Sequence, residues 1–72
     1  MIYFNVRDLI GSDSVDAYNY YEFQVNWIRA NVLLENWQFD YSHTLCINGV
    51  NIPCGISFVN FNDAYRFCKT GR

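Results

Sequence analysis

From Val15 to Leu34 the chain runs without a glycine or a proline, and no other stretch limits its folding options as strongly. A run of that length suits a helix of several turns. Gly11-Ser12-Asp13-Ser14 just before it supplies a break followed by residue types that cap helix N-termini. Asp13 and Asp16 would then sit at the positive end of the helix dipole, with Glu22 two turns further in. Tyr18, Tyr21, Val25, Ile28 and Val32 recur at steps of three and four and form one apolar stripe, while Tyr20, Phe23, Trp27, Ala30 and Leu34 form a second. At about 100° per residue the two stripes lie roughly 150° apart, so the helix would be apolar on nearly opposite sides. A strand competes for the middle of the run, because Tyr21 to Trp27 alternates apolar and polar with β-favouring residues at each apolar position. The capping residues and the unbroken length favour the helix.

On either side of that run the period is two. Ile2, Phe4 and Val6 alternate with Tyr3, Asn5 and Arg7, which predicts a first strand over Ile2 to Arg7. Trp37, Phe39 and Tyr41 alternate with Gln38, Asp40 and Ser42, and the pattern continues through Leu45 and Ile47 to Asn48-Gly49 and then Val50 and Ile52. Asn-Gly between apolar runs predicts a hairpin, since a type I′ turn needs positive φ at both central residues. Pro53 and Gly55 should interrupt pairing with an edge, bulge or turn before Ile56 to Val59 resumes as a strand. Asn60 or Asn62 can cap a closing helix that ends near Lys69, with Phe61, Ala64, Tyr65 and Cys68 turned inward. The expected fold is one α+β domain over residues 1–72: a three- to four-stranded antiparallel sheet packed against one long helix, with a short C-terminal helix.

Seventy-two residues cannot divide their buried surface between two cores. Six Phe, six Tyr and two Trp make rings the main core material. A net charge of −2 is too weak to draw the chain to nucleic acid through phosphate contacts. No run is apolar for the ~18–20 residues a membrane helix needs, and Met1 leads straight into Ile2-Tyr3-Phe4 without a basic leader region, so a cytoplasmic location is expected. Three cysteines, an odd number, argue against a disulfide framework and predict free, largely buried thiols.

The residue types of a Cys₃His zinc site are present in His43, Cys46, Cys54 and Cys68, but no short C-x2-4-C knuckle is. His43 and Cys46 also have opposite parity on a strand. Core thiols are the simpler account; a small zinc-binding structural module is kept as the alternative. A Cys-His nucleophile pair needs a poised thiolate, and neither an oxyanion-hole turn, a Gly-rich phosphate loop nor a carboxylate pair at catalytic spacing accompanies it. A non-enzymatic chain without cofactor is therefore expected. Asp8, Asp13, Asp16 and Glu22 could imitate phosphates, although a solvated helix start explains them as well. Arg66, Lys69 and Arg72 are expected to complement the end of the last helix.

The second apolar stripe carries the functional expectation. Trp and Tyr are enriched at binding hot spots, and an apolar face that so small a domain cannot cover marks a surface for a partner protein or for a homodimer. Tyr20, Phe23 and Trp27 are the expected anchors, with Asp13, Asp16 and Glu22 steering basic partners. Burial of the stripe beneath the sheet is the competing structural account, and a subunit of a larger assembly is a further reading. A short, Met-initiated, Asn-, Tyr- and Phe-rich chain with this minimal α+β pattern resembles the small accessory proteins of bacteriophages, anti-CRISPR and other anti-defence inhibitors among them. That resemblance implies a stoichiometric inhibitor occluding a surface of a host complex in the host cytoplasm.

Overall fold

The computed structural model describes residues 1–11 and 16–72. In chain order the elements are β1 (Ile2–Asn5), α1 (Val6–Ile10), α2 (Ala17–Asn31), a 3-10 turn (Leu34–Asn36), β2 (Trp37–Ile47), β3 (Val50–Phe58), α3 (Phe61–Arg66) and a π-helical turn (Phe67–Gly71). The fold is α+β, with one antiparallel three-stranded sheet in the order β1-β3-β2. No helix of the described residues is long and apolar enough to cross a membrane.

The first strand stops two residues earlier than its alternation predicts. Asn5 is extended and its side-chain oxygen accepts a hydrogen bond from the Arg7 amide at 3.0 Å, which starts α1. Val6, Leu9 and Ile10 then share one buried helical face, and Gly11 ends the element at φ 78°. Alternation and helical spacing overlap at Val6, and the cap decides between them.

The run after Asp16 is helical, not extended, and its residues Ala17, Tyr21, Gln24, Val25 and Ile28 are buried. It is shorter than expected: Leu34 lies in the 3-10 turn, 81% exposed. The proposed cap residues Ser12, Asp13 and Ser14 fall outside the described residues, and Asp16 makes no side-chain capping bond.

The hairpin is present. Asn48 and Gly49 adopt φ of 52° and 77°, the two positive values a type I′ turn requires. Pro53 and Gly55 do not break β3, which runs unbroken as the central strand. Strand β1 pairs only with Phe58 to Gly55, so the half of β3 holding Pro53 has a neighbour on one side alone, where a missing N–H is tolerated. The irregularity falls on the opposite strand: Asp40 pairs with Gly55 and Thr44 with Pro53, leaving Tyr41, Ser42 and His43 as a bulge opposite Cys54.

Phe58, Phe67, Ile28, Ile56 and Val6 are fully buried at the centre. Phe4, Phe58 and Phe67 form a ring cluster with centroids 5.3–5.7 Å apart, joining β1, β3 and the π-helical turn. The inward stripe of the C-terminal helix is Ala64, Phe67 and Gly71, one step round from the expected one. Phe61, Tyr65 and Cys68 are exposed, and the Phe61 and Tyr65 rings stack on each other at 6.3 Å. Arg66 complements a helix end as expected, but that of α2: its guanidinium donates to the Asn31 carbonyl at 2.6 Å while lying 3.6 Å from Asp63. The thiols are free, and the expectation of burial fails for them, since Cys46 and Cys68 are exposed and Cys54 is half-buried.

Candidate binding surface

Helix α2 divides the expected site residues between two flanks. Its buried face is centred on Ala17, Tyr21, Gln24 and Ile28. Tyr20, Phe23, Trp27 and Ala30 follow one another at i, i+3, i+4 spacing on the far side and make a continuous ridge. Phe23 is 57% exposed and Tyr20 40% exposed. Tyr20 and Phe23 thus form an exposed apolar flank on α2, while Leu34, the last residue of the expected second stripe, lies beyond the helix.

Trp27 departs from it. Its ring lies 5.9 Å from that of Phe67, under the Arg66 guanidinium at 5.9 Å, and over Gly71, where a Cβ would overlap the indole. The C-terminal turn therefore covers one side of this half-buried side chain, and Trp27 holds that turn in place more than it faces solvent. Periodicity within residues 15–34 carries no information about a segment forty residues away.

Among the acids, Asp13 lies outside the described residues and Asp16 is exposed at the start of α2. Glu22 is on the other flank, about 160° round the helix from Tyr20. There it lines a groove of about 250 Å³ between α2 and the β2–β3 hairpin, with Tyr18, Tyr21, Arg29, Phe39 and Tyr41. Hydrogen bonding to Glu22 raises the Tyr18 phenol above its ordinary range, and burial, followed by the neighbouring Tyr41 and Tyr18, pushes Tyr21 up to about 12. Glu22 is thus engaged with the groove tyrosines and not with the Tyr20–Phe23 ridge. The groove was not anticipated, because its wall joins residues of α2 to residues of a hairpin distant in sequence.

A third polar group lies on the open face of the sheet. Tyr3 stretches from β1 across Gly55 of the central strand and donates to Asp40 on β2 at 3.0 Å, with the Cys54 sulfur 3.8 Å away. The contact depends on glycine at position 55, since a Cβ there would overlap the Tyr3 ring. Asp40 also accepts from the Ser42 amide at 2.9 Å, and Cys54 donates to the Asp40 carbonyl at 3.5 Å. The Ser42 backbone and hydroxyl, then Tyr3, hold the Asp40 carboxyl below its ordinary range. Partial desolvation, with the bonds to Cys54 and Asp40, pushes the Tyr3 phenol up to about 12. The partners of the thiol are hydroxyls and a carbonyl, so the cluster straps the bulge to β1.

His43, Cys46, Cys54 and Cys68 do not form the zinc set they could spell in sequence: among the described residues no three His, Cys, Asp or Glu side chains come together as metal ligands would. No protein-family model, no curated protein and no solved structure matches the chain.

Proposed function

We propose that this chain is a non-enzymatic protein-binding domain that docks its partner on the outer ridge of α2, with Phe23 as the central anchor and Tyr20 beside it. The observation that carries this reading is the exposure of Phe23, a large ring in the middle of a 15-residue helix, on the side opposite its buried face. A ring so placed leaves more than half of its surface in water, and that part is available to a partner. Trp27 contributes its exposed edge, and Asp16, in line with the start of the ridge, adds negative charge that favours a basic rim on the partner. In the form that the likeness to phage accessory proteins suggests, binding would occlude a working surface of a host complex at a fixed stoichiometry.

The test begins with capture of a partner from host lysate by the wild-type chain, followed by titration calorimetry with the purified partner. Phe23→Ser should weaken that binding by about 2 kcal/mol or more, roughly thirtyfold. Undiminished binding by Phe23→Ser and Tyr20→Ser together would place the interface elsewhere.

A further inference from the structure

The strand order leaves β2 at one edge of the sheet, and with Trp37–Ile47 it is the longest strand of the fold. Edge strands that remain single are usually short or carry lysine, proline or inward-pointing charge. Strand β2 has no Lys, Arg or Pro, and Asp40 is its only carboxylate. A bulge does protect many edges, but here it leaves two regular stretches available, Trp37 to Asp40 and Thr44 to Ile47.

We propose that two copies of this chain pair through their β2 edges, antiparallel about a two-fold axis at Ser42, so that two three-stranded sheets become one of six strands. The bulge selects this register. With the axis at Ser42, Trp37 to Asp40 of one copy lies opposite Ile47 to Thr44 of the other, regular stretch against regular stretch, and the two bulges meet at the axis. An axis one residue away in either direction sets bulged residues against regular ones. The same register keeps the two faces in step. Trp37 opposes Ile47 and Phe39 opposes Leu45, all four of them core or core-packed residues on the helix-covered face. On the open face Gln38 opposes Cys46 and Asp40 opposes Thr44, so no charge meets its like. Moving the axis to Asp40 would oppose two carboxylates. Both helical layers then lie on the same side of the joined sheet, and the α2 ridge takes no part in the pairing.

Sedimentation equilibrium of the intact chain over micromolar to millimolar concentration should show a reversible monomer–dimer equilibrium. Thr44→Asp places two new carboxylates opposite Asp40 across the axis and should raise the dissociation constant severalfold, whereas Thr44→Lys should lower it severalfold. Gln38→Cys should become disulfide-linked to Cys46 of a second copy on mild oxidation; within one chain the two positions are about 26 Å apart along the strand, so the link can only be intermolecular. Circular dichroism melting establishes that each variant is folded. A monomer at every concentration, or Thr44 variants that shift the equilibrium in the same direction, would overturn the proposal. So would loss of the dimer on Phe23→Ser, which would assign self-association to the α2 ridge instead.

Discussion

Asp40 and Tyr3 illustrate how much one pair of side chains can do in a sheet this narrow. β1 and β2 are not neighbours, yet the phenol spans the central strand because Gly55 leaves room for its ring. The linkage has a sign on each side. Asp40 has a lowered carboxyl, so its contribution is complete above the ordinary value of 3.8 and is lost as pH falls through the lowered one. Tyr3 has a raised phenol, so its contribution is complete below pH 10.0 and is lost as pH rises toward about 12. Tyr3→Phe should therefore move the Asp40 titration, followed by carboxyl-carbon NMR, upward toward 3.8. An unmoved titration would mean that the Ser42 contacts alone set it. None of this was legible in the sequence, where Tyr3 reads as the solvent face of a strand and Gly55 as an interruption. Only the pairing of three strands brings positions 3, 40 and 55 together.

At the scale of elements, the hairpin was legible because its signal is local: Asn48-Gly49 has the residues that positive φ favours, and nothing distant competes. A helix within residues 15–34 was legible from its buried stripe, although it spans only Ala17–Asn31. What failed did so where two local patterns overlap. Residues 2–7 satisfy a strand while residues 6–10 satisfy a helical turn, and the Asn5 cap resolves the conflict. In the last helix two adjacent stripes both contain aromatic residues; Phe67 is turned inward by Phe4 and Phe58, and Gly71 by Trp27, contacts that periodicity does not encode. Gln24 shows the same limit. It is a polar residue on neither predicted stripe, yet it is fully buried and its amide donates to the Leu9 carbonyl at 3.2 Å, tying α2 to α1. Gln24→Leu fills similar space and removes the amide donor to that carbonyl, so urea unfolding should show a loss of about 1–3 kcal/mol. A gain would mean that the orphaned Gln24 oxygen costs more than the amide bond returns. Gly71→Ala should cost a similar amount, about 1–3 kcal/mol, by forcing the Trp27 indole off the C-terminal turn.

Across the whole molecule, some faces are sealed in the core and others stay in water. One side of a three-stranded sheet, the buried faces of α1 and α2 and the C-terminal turn enclose a single core, and among the described residues no further layer covers the rest. Among the described residues, the Phe23–Tyr20 ridge, the exposed Phe61–Tyr65 pair and the β2 edge lie outside it, as do Leu33, Leu34 and the open face of the sheet. Binding through α2 requires this partition between its two sides, and the stability of two variants measures it directly. In urea unfolding, Phe23→Ser should stay within about 0.5 kcal/mol of wild type, while Ile28→Ser should lose several kcal/mol, enough to leave much of the chain unfolded. A loss of about 2 kcal/mol or more on Phe23→Ser would show that this ring is part of the core, and the outer ridge of α2 would no longer be free to bind.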